Sequence, residues 1–430
     1  MDLRTCGGGQ ASSWEFPVTF QQTKRYAAGV RSHPPLWLFG IVISAGAVWP
    51  FSSVAMPFLL RREGIPVETI AGIYAVIMIP FTLCFAWSPL ADMLLSRRNW
   101  ILASNLVAAM LLSVAILLPR PKYLTLFTVL MVAGNVAMTC ALMALGGLMA
   151  VLLPDNVRGK ASGWFQAGNI GSGPLLGGAA LWLIERMPLT YAALGIGLLS
   201  FLPASLVLFI HEPRRSTAPS RAVFRAMFGE IKILLKKSQT WLGFLLFLSP
   251  IGAGAAVNLF SAIGADYHAS PEMVLGVTGM PEGLIATIAG ALIGGAISDR
   301  FPRKTAYIIY GILIAFAAGA MSVAPLRPAS FMIGGLAYEF GVGLVQAAFF
   351  ALALELSGTE PMTAGTRMAL FISAANAPSS YMTWLDGRGY HAWGVRGMLG
   401  TDSCVAFATA IFLILVLRIF RQQYWRPRPV

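Results

Sequence analysis

The sequence predicts an all-α integral membrane protein in which twelve transmembrane helices form two six-helix halves. Composition gives the first reason: 57% of the 430 residues are hydrophobic and only 11% are charged, whereas a soluble chain carries about 25% charged residues. The second reason is that the apolar residues are gathered in long, nearly uncharged blocks, and about 20 such residues cross a bilayer core as a helix. The third is a charged loop that recurs at equivalent places in the two halves.

The apolar blocks define the candidate spans. One long polar break, between Phe209 and Trp241, divides them into six and six. The predicted spans are 36–60, 68–94, 100–118, 123–153, 159–184, 188–210, 241–265, 272–297, 305–324, 329–357, 364–385 and 397–418.

The same pattern predicts the domain organisation. After an opening rich in Pro, Ser and Arg, the polar break carries apolar and basic residues at helical spacing from Phe224 to Lys237. That spacing predicts an amphipathic helix on the cytoplasmic membrane surface, and a solvated loop is the alternative. We predict a cytoplasmic N-terminal tail at 1–35, an N-terminal six-helix half at 36–210, a cytoplasmic linker at 211–240, a C-terminal six-helix half at 241–418 and a cytoplasmic C-terminal tail at 419–430.

The net charge of +13 indicates topology rather than a polyanionic partner. If both termini are cytoplasmic, 23 of the 31 Lys and Arg residues lie on the cytoplasmic side and 8 on the opposite side. This is the positive-inside asymmetry of membrane proteins. We therefore expect a multi-pass protein of the cell (inner or plasma) membrane, with the lipid bilayer and not nucleic acid as its surroundings. No signal peptide is expected, because the N-terminal tail has no apolar segment before a cleavage site.

Several classes of function are disfavoured. The four cysteines and four histidines are scattered without metal-ligand spacing, so neither a metal nor a cofactor is expected. An embedded enzyme would need a nucleophile beside a base, and a channel would need a repeated filter or a ring of charges. The sequence shows neither pattern, so no catalytic residues are assigned. We expect a monomeric transporter whose partners are a small-molecule substrate and protons.

Two short loops repeat the same pattern of a carboxylate followed by basic residues. Each lies between the second and third span of its half, which indicates an internal repeat of the kind found in many transporters. A short loop of this kind can form ion pairs in one conformation and lose them in the other. The loops therefore predict a cytoplasmic gate, and ordinary positive-inside loops are the alternative. The predicted gate residues are Asp92, Arg97, Arg98, Asp299, Arg300, Arg303 and Lys304.

The second loop resembles a motif of the major facilitator superfamily. Its residues Gly295 to Arg300, followed by Arg303 and Lys304, are similar to the Gly-x-x-x-Asp-(Arg/Lys)-x-Gly-(Arg/Lys)-(Arg/Lys) loop of that family. The first copy is degenerate, with Ser88 at the Gly position and Met93 at the first basic position. The resemblance implies the twelve-helix major facilitator fold and secondary active transport.

A narrower resemblance concerns the peptide and acetyl-CoA transporter branch, which includes the AmpG-like muropeptide permeases. It rests on Trp87-Ser88-Pro89-Leu90-Ala91-Asp92, on Leu153-Pro154 with Arg158-Gly159, and on Glu339 followed by glycines. The segment Met138 to Met143 lacks the carboxylates that relatives often carry there. The resemblance implies a proton-coupled symporter that brings a polar or amphiphilic organic solute, such as a peptidoglycan fragment, into the cell.

A competing signal lies in the fifth predicted span. Gly173-Pro174-Leu175-Leu176-Gly177-Gly178 resembles the core of a motif found in proton-driven drug exporters of the same superfamily. Close helix packing through small residues explains the same run of residues equally well. The alternatives left open are therefore a proton-driven drug exporter, a siderophore transporter of the same fold and, more remotely, a membrane-embedded enzyme.

Polar side chains within the spans are the candidate site residues. An ionised group at the bilayer centre costs about 2.5–3.5 kcal/mol on insertion scales, so a carboxyl there normally faces a cavity and has a function. Glu339, near the middle of the tenth span, and Glu282, after Met280-Pro281 in the eighth, are the predicted proton-coupling groups. The predicted substrate-lining residues are Asn135, Gln166, Asn169, Asn258, Tyr338 and Asn376.

Overall fold

All regular elements in the described part of the chain are helices, as the sequence predicts. For each predicted span, only the helical elements that the structure describes are given below. The computed structural model describes residues 41–42, 47–87, 95–152, 171–210, 238–279, 281–298, 301–357 and 361–424, and the single residues 165, 168, 169, 229, 232 and 236.

The first part of the chain, up to residue 210, contains nine α-helices and three short π or 3-10 segments among its described residues. These elements are α1 Val48–Pro50, a π segment Phe51–Ala55, α2 Met56–Arg62, α3 Val67–Ile77, α4 Ile79–Thr82, α5 Cys84–Trp87, α6 Arg97–Leu117, α7 Leu124–Leu152, a π segment Gly173–Gly177, α8 Gly178–Arg186, α9 Leu189–Phe201 and a 3-10 segment Leu202–Phe209.

The second part, from residue 238, contains longer helices towards its end. Its elements are α10 Ser238–Phe247, a 3-10 segment Pro250–Gly252, α11 Val257–Ile263, a 3-10 segment Gly264–Tyr267, α12 Pro271–Thr278, α13 Glu282–Ser298, α14 Arg303–Val323, α15 Pro328–Ser357 and α16 Pro361–Tyr424.

Eight helical stretches of the described residues are long and apolar enough to cross a membrane. Seven correspond to single predicted spans, five of them within four residues at both ends, and the eighth joins the last two. Two further predicted spans, 36–60 and 159–184, begin outside the described residues, and 241–265 is interrupted. The count of twelve spans in two halves therefore stays a prediction. The eight stretches are Val67–Ala86, Arg97–Leu117, Leu124–Gly146, Leu189–Phe209, Pro271–Ser298, Arg303–Val323, Pro328–Ala353 and Leu370–Arg418.

Local chemistry explains where the helices begin and break. The Ser96 and Ser270 hydroxyls cap α6 and α12 by accepting hydrogen bonds from the backbone N–H groups of Asn99 (3.2 Å) and Met273 (3.3 Å). The seventh predicted span breaks at Pro250, which has no N–H to continue the α-helical ladder. The predicted amphipathic helix of the linker lies almost entirely outside the described residues.

The long helix α16 is a hairpin rather than one rod. Its helical geometry is interrupted at Trp393 and at Gly394, whose φ of 63° lies in the left-handed region that favours glycine. Gly389 and Gly397 meet across this bend, because a Cβ added to Gly397 would lie 2.3 Å from the Gly389 carbonyl oxygen. The two arms are therefore antiparallel and in backbone contact near the bend.

The two π segments of the first part pack directly on each other. A Cβ added to Gly177 would lie 2.8 Å from the Pro50 carbonyl oxygen and 2.7 Å from a methyl group of Val54. No larger residue fits at this crossing without a shift of backbone. Close packing thus accounts for a glycine of the Gly-Pro-Leu-Leu-Gly-Gly run.

Helices α13 and α15 approach each other just as closely. A Cβ on Gly290 would lie 2.0 Å from the Phe340 carbonyl oxygen, and one on Gly343 would lie 2.1 Å from the Thr287 carbonyl oxygen. Glycines on both helices therefore bring the two backbones together. This contact fixes the distance between the polar side chains that α13 and α15 direct at each other.

We expect Gly290→Ala to destabilise the protein, although alanine ordinarily favours a helix over glycine by ~1 kcal/mol. The added methyl group must push α13 away from α15, and such overpacking costs about 1–3 kcal/mol. The check is the thermal unfolding temperature of the purified protein in lipid. Gly295→Ala, on the same helix with nothing within 4 Å of its Cβ, is the matched control and should not lower that temperature. Equal effects of the two substitutions would contradict the close contact.

Candidate functional site

Helix α15 presents two adjacent polar residues to different neighbours, because consecutive residues of a helix point about 100° apart. Glu339 faces α13, where its Oε2 lies 3.0 Å from the Thr287 hydroxyl. Tyr338 faces the second arm of α16, where its hydroxyl donates to Asp402 Oδ2 over 2.9 Å. The Tyr338 hydroxyl also accepts a hydrogen bond from the Ala256 N–H, at 3.3 Å. One turn of α15 thus serves two polar sites.

The Glu339 site has fewer donors than acceptors. Glu339 is buried, with 6% of its surface exposed. The Thr287 hydroxyl, its hydrogen-bond partner, also lies 2.9 Å from the Gly283 carbonyl oxygen. A hydroxyl has one proton to donate, so Thr287 cannot donate to both acceptors at full strength. Both contacts are satisfied if Glu339 carries a proton and donates to Thr287, which leaves the Thr287 proton for Gly283.

A pair of buried carboxyl groups, Asp386 and Asp402, lies on the other side of Tyr338. Asp386 has no exposed surface and Asp402 is 4% exposed. Neither oxygen of Asp386 has a hydrogen-bond partner among the described residues, whereas Asp402 accepts a hydrogen bond from Tyr338. Among the described residues, neither forms an ion pair with a cation. We call Asp386 and Asp402 the acid pair.

Sequence reasoning missed the acid pair, although a signal for it exists. Ser379, Thr383, Asp386 and Tyr390 recur at spacings of three and four, which places them on one face of a helix. The predicted eleventh span ended at residue 385 and so excluded the third member of this stripe. This stripe contacts Asn258, one of the predicted substrate-lining residues. The Asn258 amide donates to Thr383 Oγ1 (3.0 Å) and Ser379 Oγ (3.3 Å).

Beyond Asp386 along α16, ionic and hydrogen-bonding side chains join the first part of the chain to the second. Arg61, at the end of α2, donates to the Tyr390 hydroxyl over 3.0 Å and lies 3.7 Å from Asp266 Oδ1. The Tyr390 hydroxyl in turn donates to the Asp266 carboxylate at 3.0 and 3.2 Å. The Arg61 guanidinium also lies 5.7 Å from the centre of the Tyr390 ring, within the range of a cation–π contact.

A second set of contacts lies beside the first. Glu68, at the start of α3, forms an ion pair with Arg388 Nη1 through Oε1 at 2.9 Å. Its Oε2 lies 2.7 Å from Nδ1 of His391. We call the six side chains of these two sets the junction network: Arg61, Glu68, Asp266, Arg388, Tyr390 and His391.

The contact between the two parts continues from the junction network along α16. The Gly387 backbone packs against α3, because a Cβ there would lie 2.3 Å from Ala71 Cβ and 3.3 Å from Glu68 Cα. Further along, the Cys84 thiol lies 3.1 Å from the Ser373 hydroxyl. The helices α3 to α5 therefore follow the first arm of α16 from the junction network towards its far end.

The other predicted lining residues have different surroundings. Asn135 donates to the Ile77 carbonyl oxygen, which is free because the Phe81 N–H bonds to Met78 instead. Its own Oδ1 has no hydrogen-bond partner. Asn169 is half-buried, and its backbone carbonyl accepts a hydrogen bond from Ser172. Asn376 is half-buried on α16, Glu282 is exposed in the first turn of α13, and Gln166 lies outside the described residues.

The predicted gate residues are described only in part. Asp92, Asp299 and Arg300 lie outside the described residues, and Arg97 and Arg98 begin α6. Arg303 lies 3.6 Å from Glu355 Oε2 and donates to the Ala351 carbonyl oxygen at 3.3 Å, both on α15. Lys304 is 8% exposed. Arg303, at the start of α14, therefore contacts the end of α15, and the role of a gate stays a prediction.

No described group of three or more His, Cys, Asp or Glu residues could hold a metal ion. The side chains of the described site carry carboxyl, hydroxyl and amide groups, which bind and release protons and hydrogen-bond to polar solutes.

Residues 85–383 match the Major Facilitator Superfamily, and the chain belongs to that superfamily. It is therefore a multi-pass membrane protein of that family, and the family resemblance predicted from the loop motif is confirmed.

Two curated relatives are similar in sequence. The anhydromuropeptide permease of Escherichia coli (strain K12) is 25% identical over 286 residues, which are 63% of this chain and 56% of the permease. The match thus spans little more than half of that relative. An uncharacterized protein of Haemophilus influenzae is 25% identical over 368 residues, covering 78% of this chain and 83% of its own.

Solved structures share the fold at lower identity. The D-xylose-proton symporter is 16% identical with a TM-score of 0.63, covering 92% of this chain and 97% of its own. The nucleoside transporter NupG is 12% identical with a TM-score of 0.66, covering 91% and 99%. At these identities the likeness concerns the fold alone.

Proposed function

We propose that the protein is a proton-coupled secondary active transporter that moves a polar or amphiphilic organic solute across the cytoplasmic membrane. In this proposal two six-helix halves, 36–210 and 241–418, rock about a central site, and the protein works as a monomer. The observation that carries the proposal is the junction network, because its ion pairs join the two sequence halves at one end of the helices. Alternating access requires such contacts at one end to break when those at the other form.

The charge distribution supports an orientation for this arrangement. Both termini and the linker are cytoplasmic under the positive-inside rule, which puts the junction network on the outer side of the membrane. In this proposal the network acts as the outer gate, and its contacts hold that side closed. The paired loops at Asp92 and Asp299 lie at the opposite end and act as the cytoplasmic gate.

Proton coupling is supported by the shortage of donors around Glu339. A carboxyl buried between α13 and α15 with one hydroxyl partner is satisfied when it is protonated, as described above. It can bind a proton when water reaches it from one side of the membrane and release that proton on the other side. Glu282, exposed at the start of the same α13, is the second coupling candidate.

The substrate class rests on the relatives and the polar residues. The Escherichia coli relative is named as an anhydromuropeptide permease, and we propose that this chain carries a solute of that kind. The proposed lining residues are Asn258, Tyr338 and Asn376, with Asn135, Gln166 and Asn169 from the first half, whose amide and hydroxyl groups are of the kind that hydrogen-bond such solutes. The motif shared with drug exporters is accounted for at Gly177 by helix packing, so we propose uptake rather than export.

The test is transport by the purified full-length chain in proteoliposomes, with a radiolabelled anhydromuropeptide as the probe. We expect saturable uptake that concentrates the probe inside only when the outside is more acidic, and a protonophore should remove the accumulation while leaving equilibration. A cationic drug and a siderophore serve as competing probes. Uptake that does not depend on the proton gradient would contradict proton coupling. Accumulation of the cationic drug alone would favour the alternative of a drug exporter.

A further inference from the structure

The turn between α2 and α3, residues 63–66, joins the two first-part members of the junction network. Arg61 lies in the last turn of α2 and Glu68 in the first turn of α3, so this turn sets the position of both side chains. The Ile65 N–H donates to the Leu60 carbonyl oxygen at 3.1 Å, and the Gly64 N–H donates to that of Arg61 at 3.0 Å. With Gly64 at a φ of 83°, these bonds form a Schellman cap, which ends a helix in one defined geometry.

Three consecutive charged residues at this end of α2 have partners on three different elements. Arg61 reaches the second part of the chain through the junction network. Arg62 pairs with Glu185 of α8 over 3.3 Å. Glu63 accepts hydrogen bonds from Arg120, which lies in the connection between α6 and α7. Two of the three side chains therefore hold the end of α2 to the first part, and the other reaches across to the second part.

Arg120 is the buried member of this set. Its side chain is 2% exposed, whereas that of Arg62 is 63% exposed. The Arg120 Nε lies 3.0 Å from Oε1 and 3.1 Å from Oε2 of Glu63, and its Nη2 also donates to Oε1. Its Nη1 donates to the Ile116 carbonyl oxygen, in the last turn of α6. A planar guanidinium held by a carboxylate and a helix end has a fixed orientation, and a buried ion pair is much more costly to break than an exposed one.

We propose that Arg120 is a positioning residue of the outer gate. By binding Glu63 and the end of α6 together, it holds the turn between α2 and α3 in the place from which Arg61 reaches Asp266 and Glu68 reaches α16. The hydrogen bonds described for Arg120 all lie within the first part of the chain, so it acts on the junction network through Glu63. This inference rests on the proposed function, in which the junction network is the outer gate.

A fixed turn strengthens contacts that Arg120 does not make itself. Arg388 and His391, the partners of Glu68, are 61% and 72% exposed, and exposed ion pairs gain little because ordering two long side chains costs entropy. That cost is smaller when one partner is already held in place. Because the same turn carries Arg61 and Glu68, both sets of contacts also break together when the gate opens. A loose turn would let the two sets break separately, and the outer side would open more often.

The experiment measures access from the outer side without solute or proton gradient. Thr383, fully buried on the α16 stripe, is replaced by cysteine in a full-length chain without the four native cysteines. Labelling by a membrane-impermeant thiol reagent is then followed in right-side-out membrane vesicles. We expect Arg120→Gln to speed labelling about tenfold, which corresponds to ~1.4 kcal/mol in the equilibrium between the closed and open forms. Lys122→Gln is the matched control, since it removes the same charge from an exposed position of the same connection, and it should leave the rate unchanged.

A second comparison separates positioning from a general loss of stability. In a chain whose gate is already removed by Arg61→Gln/Glu68→Gln, labelling is expected to be fast, and Arg120→Gln should add nothing, because it acts through these two residues. Further acceleration in that chain would show general loosening of the helices and would overturn the positioning role. An unchanged rate for Arg120→Gln in the intact chain would also overturn it, and would leave the proposed function standing. Slow labelling of the Arg61→Gln/Glu68→Gln chain itself would reject the junction network as a gate, and this inference with it.

Arg120→Lys gives the same test with a milder change. Lysine keeps the positive charge but has a single ammonium group in place of the planar fork, so it cannot hold both Glu63 and the Ile116 carbonyl oxygen as Arg120 does. If Arg120→Gln does not fold, we expect Arg120→Lys to speed labelling severalfold. Labelling of Arg120→Lys at the wild-type rate would then overturn the proposal.

Discussion

Replacing Glu339 by glutamine is expected to abolish proton-driven accumulation while leaving solute exchange measurable. Glutamine has the shape of the protonated acid, and its amide can donate to Thr287 as the acid does. It cannot release a proton, however, so the cycle of proton binding and release stops. The expected loss is complete for accumulation against a gradient and small for binding or counterflow of the anhydromuropeptide probe.

The control for this substitution lies on the same helix. Glu355 is 43% exposed and faces Arg303 at the end of α15, so Glu355→Gln makes the same chemical change outside the buried site. We expect it to keep accumulation. The measurement is uptake into proteoliposomes with and without a proton gradient. If the Glu339→Gln protein still concentrates the probe, coupling lies elsewhere, and Glu282 and the acid pair become the residues to test.

Locking the junction network is expected to stop transport completely and reversibly. In a background without the four native cysteines, Glu68→Cys and Arg388→Cys replace an ion pair whose atoms lie 2.9 Å apart. A short, reducible thiol cross-linker then ties α3 to α16. Because the proposed cycle requires these helices to separate on the outer side, neither accumulation nor exchange should remain. Reduction of the cross-linker should restore both.

The matched control is a cross-link that joins two elements of the first half. Arg62 and Glu185 form a comparable ion pair at 3.3 Å, between α2 and α8. The same reagent on Arg62→Cys/Glu185→Cys should leave transport intact, since both residues move together in a rocking half. Full activity of the cross-linked Glu68/Arg388 protein would show that the junction network does not have to open.

The helices could largely be predicted because a bilayer imposes their length and apolar character. The predicted spans at 100–118 and 305–324 agree with α6 and α14 within three residues. The interruption after α10 could not be predicted from hydropathy, since the segment around Pro250 is as apolar as a continuous helix. Its 3-10 turn packs against α14, where a Cβ added to Gly311 would meet the Ile251 carbonyl oxygen, and Gly254, with its positive φ, lies against Val342 of α15.

The candidate site could be predicted in part. Glu339, Tyr338 and Asn258 lie in buried polar contacts, as expected of polar residues inside spans. The acid pair was missed because Asp386 follows the predicted end of its span and because its neighbour is on the other arm of α16. Asn135 was predicted to line the substrate site, but the structure shows its amide donating to the Ile77 carbonyl oxygen. The sequence does not reveal that this carbonyl is available.

The junction network illustrates what a single sequence cannot show. Counted as loop charges, Arg61 and Arg388 contribute only to the asymmetry between the two sides of the membrane. Their partners Asp266 and Glu68 lie 205 and 320 positions away along the chain, so no local pattern connects them. The pairing is a property of the packed helices.

The bend at Gly394 has a mechanical consequence for the acid pair. Asp386 and Asp402 lie equally many residues before and after this glycine, on two arms whose backbones touch at Gly389 and Gly397. The two aspartates therefore lie on one hairpin whose arms are in backbone contact. A movement of this hairpin as a unit carries both of them together and does not change their separation.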